Sequence, residues 1–239
     1  MSSWFVPRSN KPIIIAHRGA SQEMPENTMG AFRLAVDQGA DGLEFDVQFS
    51  ADGVPMIIHD PTLDRTTNGR GRVIDQPFRQ LQRYDAGGGE RISSLEELFS
   101  EFGSNTLYNI EIKSYTFKDI GVEKAVADLI GRFKLGKQVL VSSFFPANLR
   151  RFSQHSNPPA VLTGLVRYKG FGFTRHFYQG QVDHPWHQLV DAKYMHWAAE
   201  NNLRVHVWTV DDLDEATRLT KLGVHGIITN RPGYLQTHL

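Results

Sequence analysis

Short β-rich runs alternate with amphipathic helical patterns along most of these 239 residues, and that alternation restricts the fold more than any other feature. Successive strands joined through helices lie parallel, giving a parallel sheet or a closed barrel of βαβ units. The predicted strands are 13–17, 42–49, 54–59, 107–113, 138–143, 160–166, 203–210 and 226–229. The predicted helices are 28–38, 94–102, 122–133, 147–153, 191–201 and 212–222. Thr28, Ser94 and Asp212 are N-cap residue types, and Gly39, Gly103 and Gly223 follow helix ends where a left-handed residue is useful.

Two segments break the alternation. Residues 61–92 are rich in Gly and Arg without clear periodicity and read as a loop insertion, with Arg65, Arg70 and Arg72 solvated. Residues 168–187 are crowded with aromatics and histidines and read as a lid over one end of the fold. The whole chain, residues 1–239, is read as one domain of a size that barrels commonly have, with 61–92 an insertion within it.

Composition removes several classes of function. Lys plus Arg equals Asp plus Glu at 26 each, so no global field recruits nucleic acid or an anionic membrane surface. With no cysteine, any metal must be held by carboxylates, histidines or water. The first residues hold only a three-isoleucine apolar core, too short for a signal segment, and no later window approaches a membrane span. The chain is therefore read as soluble and cytoplasmic.

The stretch EFDVQFSADGVPMIIHD, residues 44–60, is read as a hairpin turning at SADG, residues 50–53. Pairing Phe49 with Val54 places Phe45, Val47, Met56 and Ile58 on one face. Glu44, Asp46 and His59 then gather on the other. A one-residue slip would set charges among the apolar set, which favours this register. In LYNIEIK, Asn109, Glu111 and Lys113 likewise share a face opposite Ile110 and Ile112. Converging carboxylates raise each other's pKa unless a cation sits between them, and oxygen ligands such as Glu44, Asp46 and Glu111 suit Mg²⁺ or Ca²⁺.

The motifs AHRGASQEMPENT, EFD, IIHD, NIEIK, VSSF, VHVWTV and GIITNRP occur in that order from His17 to Pro232. In this the chain resembles the glycerophosphodiester phosphodiesterase family. The resemblance implies an α/β fold, a TIM (β/α)8 barrel with a small loop insertion after the third strand. It further implies a bound divalent cation, Mg²⁺ or Ca²⁺, and hydrolysis of small-molecule glycerophosphodiesters to glycerol 3-phosphate and an alcohol. Carried over residue by residue, the metal ligands fall on Glu44, Asp46 and Glu111, and the acid/base histidines on His17 and His59. The phosphate-binding residues fall on Arg18 and Lys113. His225 and Asn230 stand where aspartate is expected, both read as away from the catalytic set.

Further assignments complete the picture. Glu26 orients Arg18 or contacts the metal shell, and Asn27 holds either through a backbone bond. Trp208 stacks on glycerol or a choline headgroup, or is a large core aromatic. His206 reads as a buried, hydrogen-bonded histidine. The expected chemistry is attack by the substrate's own glycerol hydroxyl, with one histidine accepting and the other donating a proton, against direct attack by metal-bound water. A related enzyme acting on lysophospholipid or sphingomyelin and a non-catalytic phosphodiester-binding barrel are the alternatives. Headgroup, cellular metal and oligomeric state are not written in the sequence.

Overall fold

A computed structural model of the chain describes residue 4 and residues 11–113, 120–156, 161–169 and 180–239. Its strands are β1 (Ile13–His17), β2 (Gly42–Phe49), β3 (Pro55–Ile57), β4 (Leu107–Ile112), β5 (Val139–Ser143), β6 (Leu162–Arg167), β7 (Val182–Pro185), β8 (Arg204–Val207) and β9 (Gly226–Thr229). Eight of them run parallel in the order β1-β9-β8-β7-β6-β5-β4-β2, and β2 pairs back onto β1 to close a TIM barrel. The helices are α1 (Met29–Asp37), α2 (Phe78–Leu81), α3 (Leu95–Phe102), α4 (Val122–Phe133), α5 (Pro146–His155), α6 (Ala192–Glu200), α7 (Leu213–Lys221) and α8 (Pro232–His238).

Local chemistry sets the helix boundaries. Thr28 accepts a hydrogen bond from the Ala31 N–H, Asp212 from the Glu215 N–H, and Ser94 forms a reciprocal capping box with Glu97. Gly39, Gly103 and Gly223 all take positive φ just past their helices. Between strands and helices, Phe32, Phe45, Leu98, Phe99 and Val126 fill one side and Val205, Val207, Leu219 and Ile227 another. Inside the barrel, Ile13, Ile15, Leu107, Leu140, Leu162, Val182 and Ile228 form an apolar layer. Trp4 closes that layer: its ring stacks on His206 at 5.6 Å and its Nε1 donates to the Gln138 carbonyl at 2.8 Å. The polar inward residues are thereby left for the carboxyl ends of the strands.

Three expectations are corrected. The run at 54–59 supplies β3, an antiparallel arm and not a barrel strand; it takes Val47–Phe49 of β2, beyond the Gly42–Glu44 segment paired with β1. The missing eighth barrel strand is β7, inside the segment read as a lid, while residues 170–179 of that segment lie outside the described residues. VDHP hides its strand character because Asp183 faces outward to Arg167 and Tyr194 and His184 faces the barrel interior. Third, the hairpin register is shifted by one: Val47 pairs with Ile57 and Phe49 with Pro55. Ile57 joins Phe45 and Val47 in the core, while Met56 and Ile58 pack with Leu63, Val73, Leu81 and Ile92 of the insertion. The two faces of β3 are both buried, so the slip costs no apolar contact.

Candidate functional site

His17 ends β1, and the chain then turns through Arg18 and Gly19 at φ 57° and 84°. A Cβ on Gly19 would lie 2.7 Å from Ala31, so glycine is needed where the turn meets α1. The Arg18 N–H donates to the Glu44 carbonyl at 2.8 Å, which holds the left-handed conformation and directs the guanidinium over the strand ends. Its Nε lies 3.2 Å from Asp46 and its Nη1 2.9 Å from Glu26. Asn27, also left-handed at φ 60°, donates its backbone N–H to the Arg18 carbonyl and its side-chain amide to Asp46.

Alternation on β2 and β4 turns Glu44, Asp46 and Glu111 inward. All three are buried, and one carboxylate oxygen from each lies within 4.8 Å of the others. Lys113 Nζ sits 2.6 Å from Glu111 and 3.2 Å from Asp46. Burial, then the Asp46 and Glu111 carboxylates, push the Glu44 carboxyl well above its usual range. Burial also raises Glu111, and Lys113 only partly offsets it. Burial acts upward on Asp46 too, but Lys113 and Arg18 outweigh it and hold that carboxyl well below the usual range. An all-oxygen set with this much uncompensated charge fits a hard divalent cation.

The two histidines flank this set with different backing. His17 Nδ1 lies 2.7 Å from Asn230 Oδ1, and its Nε2 lies 3.9 Å from Glu44. Burial, helped by Arg18, lowers His17 to about 4. His59 Nδ1 instead meets Asp60 at 2.6 Å, and burial lowers its pKa as well. His59 reaches the site despite the shifted register because β3 ends at Ile57 and the next residues leave the pleat. The amide of Gln48 donates to the carbonyls of Ile58, His59 and Asp60 at 3.0, 2.8 and 2.7 Å and fixes that turn.

Arg65 is not simply solvated. It grips Asp60 and Glu26 together, with Nε 2.6 Å from Asp60 and Nη1 2.8 Å from Glu26. Glu26 therefore bridges Arg65 and Arg18. Asn230 is likewise not remote, since it touches His17; His225 lies at the start of β9, accepting from the Val205 N–H. Asn230, whose amide also donates to Asp211 at 2.7 Å, and Asp60 act through loop contacts that no strand or helix periodicity encodes.

A cavity of about 130 Å³ opens between these groups, lined by His17, Glu44, Glu111 and Lys113 together with Phe144 and Trp208. Trp208 donates its Nε1 to the His184 carbonyl at 2.7 Å and packs edge-on to Phe144. It is thus both a packed aromatic and a pocket wall. A larger cavity of about 710 Å³ lies at the carboxyl ends of α4 and α5, beside Lys134, Lys137 and His155, and holds none of these groups.

The model of the glycerophosphoryl diester phosphodiesterase family matches residues 17–234. A glycerophosphodiester phosphodiesterase of Caldanaerobacter subterraneus subsp. tengcongensis is 36% identical over 233 residues, covering 93% of this chain and 95% of the relative. One of Bacillus altitudinis is 41% identical over 250 residues, covering 92% and 94%. Among solved structures, an Oleispira antarctica phosphodiesterase in complex with the product sn-glycerol-3-phosphate superposes with a TM-score of 0.79 at 26% identity, over 95% of this chain and 96% of that one. A glycerophosphodiester phosphodiesterase of Agrobacterium tumefaciens gives 0.81 at 26%, over 95% and 99%. With the carboxylate triad, the two differently backed imidazoles and the paired cations on the strand ends of a closed barrel, this chain belongs to the glycerophosphoryl diester phosphodiesterase family.

Proposed function

We propose that the chain hydrolyses glycerophosphodiesters to glycerol 3-phosphate and an alcohol, using His17 and His59 as acid/base groups beside a divalent cation, Mg²⁺ or Ca²⁺. The observation that carries this reading is the buried Glu44–Asp46–Glu111 set flanked by the two imidazoles. A bound cation would be held by those three carboxylates and would supply positive charge to the developing phosphorane oxygens.

The chain's own residues do the rest. Arg18 and Lys113 neutralise the nonbridging oxygens of an anion that otherwise repels nucleophiles. His17, holding its Nδ1 proton against the Asn230 amide oxygen, keeps Nε2 free to accept a proton from the attacking hydroxyl. His59, backed by Asp60, donates a proton to the departing alkoxide. The attacking group is the vicinal hydroxyl of glycerol: its oxygen bonds to phosphorus, the headgroup alkoxide leaves protonated, and water then opens the five-membered cyclic phosphate with the two histidines reversed. Slow cleavage of a substrate lacking that hydroxyl supports this route; equally fast cleavage points to direct attack by water.

Glu26 positions Arg18, and Trp208 contributes a stacking wall. The half-exposed Tyr168, whose ring lies 6.1 Å from that of Trp208, favours lysophospholipid as a second substrate, tested by assaying lysophosphatidylcholine next to glycerophosphocholine. The whole chain acts as one barrel unit, and the absence of cysteine supports a cytoplasmic location; among the described residues, no helix is long and apolar enough to cross a membrane. The deciding assay is release of glycerol 3-phosphate from glycerophosphocholine with Mg²⁺ or Ca²⁺, then with EDTA, and with His17→Ala and His59→Ala. Metal-dependent product lost in both variants is expected, and product that survives EDTA and both variants overturns the reading.

A further inference from the structure

Contrary to expectation, neither ring nitrogen of the buried His206 has a hydrogen-bond partner among the described residues. At the carboxyl end of β4 the opposite holds: a chain of buried side chains is committed, bond by bond, to one peptide group. That group joins Ile112 to Lys113. Its N–H donates to the Val47 carbonyl of β2 at 3.0 Å, and its carbonyl accepts from Ser143 Oγ at 3.0 Å and from Asn148 Nδ2 at 3.5 Å. The last paired residues of β4 and β5 are Glu111 and Ser142, so side chains hold the strand where backbone pairing stops. A planar peptide gripped on both edges fixes the direction in which the Lys113 side chain leaves the backbone.

Each hydrogen bond in this chain can run only one way. Asn148 Oδ1 accepts from Arg151 Nη2 at 2.6 Å, which turns its amide N–H groups to Ser143 and Ile112. Ser143 Oγ accepts from Asn148 at 3.0 Å and from the Phe145 N–H at 3.3 Å, so its single proton goes to the Ile112 carbonyl. Arg151 is gripped in turn by Glu123 of α4, with Nε 2.8 Å from Oε1. Ser143, Asn148 and Glu123 are no more than 1% exposed. Apolar side chains of the same volume commonly stabilise a fold as well as a buried ion pair does, so stability alone does not account for Glu123 and Arg151.

What the arrangement fixes is a cation. Lys113 Nζ lies 2.6 Å from Glu111, 3.2 Å from Asp46 and 5.6 Å from the centre of the Phe144 ring, which lines the pocket. An ammonium on a flexible four-carbon stem meets phosphate as a point charge, without the geometry of a guanidinium fork, so its aim depends on where the stem begins. The same Ser143 hydroxyl that ties down Ile112 also holds the Phe145 N–H, just past the Phe144 ring. Resting on the phosphodiesterase reading above, we propose that Ser143, Asn148, Arg151 and Glu123 are positioning residues that act through the Ile112–Lys113 peptide to aim the Lys113 ammonium at the substrate phosphate.

A double-mutant cycle separates aiming from packing. Asn148→Leu and Ser143→Ala are each made in the wild type and in Lys113→Met. The cycle is read on kcat/KM for glycerophosphocholine and, independently of turnover, on the calorimetric affinity for inorganic phosphate with Mg²⁺. With Lys113 present, each variant is expected to lower both quantities about tenfold, within the coupling range of groups in one hydrogen-bond network. In the Lys113→Met background the further loss is expected to stay below about twofold. Equal losses in the two backgrounds, no loss with Lys113 present, or a wild type that does not bind phosphate overturns the proposal. Urea midpoints of every variant show whether a loss follows stability, and a loss that does so in both backgrounds counts against aiming. Turnover of glycerophosphocholine by the wild type judges the phosphodiesterase reading by itself, since the phosphate arm of the cycle needs none.

Discussion

Asn230 Oδ1 lies 2.7 Å from His17 Nδ1, and the amide has only one possible orientation. Its Nδ2 donates to Asp211 at 2.7 Å, and Ser21 Oγ donates to the same Oδ1 that faces His17. An oxygen can only accept, so His17 carries its proton on Nδ1 and turns a bare Nε2 to the pocket. An aspartate at 230 would set two carboxylates against each other, which explains why asparagine stands there. Asn230→Leu should lower kcat about a hundredfold with little change in KM, because a freed imidazole samples the wrong tautomer and orientation. Steady-state kinetics check the split, and ¹⁵N spectra of the His17 ring should show both tautomers in the variant against one in the wild type.

Arg65 ties the insertion to both halves of the site. Removing it releases Asp60, which holds His59, and Glu26, which holds Arg18. Arg65→Ala is expected to reduce kcat/KM about tenfold. Arg65→Lys should recover little, since an ammonium cannot bracket two carboxylates as a guanidinium does. Full activity in the lysine variant would show that charge alone suffices.

Metal should stabilise the fold as well as enable turnover. Saturating Mg²⁺ or Ca²⁺ at a hundred times Kd adds about 2.7 kcal/mol and raises Tm accordingly. Glu44→Gln should remove most of that shift, yet be at least as stable as wild type in EDTA, because one of three mutually repelling buried carboxylates is gone. Differential scanning calorimetry of both proteins, with and without metal, distinguishes this from a variant that is merely misfolded.

Acid should weaken the barrel from within. His17 is lowered to about 4 and His184 to about 3, both by burial, against an ordinary value near 6.5. Between those limits the unfolded chain binds more protons than the native one, so stability is complete above about pH 6.5 and falls as pH drops, by up to about 1.4 kcal/mol per unit for each histidine. The raised Glu44 acts in the opposite sense, losing stability as pH rises. Comparing urea midpoints of wild type and His184→Leu between pH 7 and 4.5 cancels that contribution; the variant should show the shallower slope.

The parts of this site that follow a period were legible in the sequence. Glu44 and Asp46, or Asn109, Glu111 and Lys113, stand two apart on strands, and the pleat alone delivers them to one surface. Strand pairing does not deliver His59 to the site, since the register is one residue away from the one the pattern favours and Gln48 turns the imidazole inward. Strand β7 stayed hidden because four residues with Asp183 and His184 among them carry no apolar alternation. The bridge from Arg65 to Glu26 and the contact of Asn230 with His17 span 39 and 213 residues, joined by loop geometry that local pattern does not contain.

The seat of Trp4 also has a meaning for the order in which the chain assembles. Its indole meets a carbonyl 134 positions on, at Gln138, and a ring on β8, at His206. Neither surface is a floor until the strands between them have come round and β9 has paired with β1. These are contacts of very long sequence separation, the kind whose loop-closure entropy must be met before they return anything. Burial of this one indole therefore marks the moment the ring is complete, and a chain with an open ring has nowhere to put it.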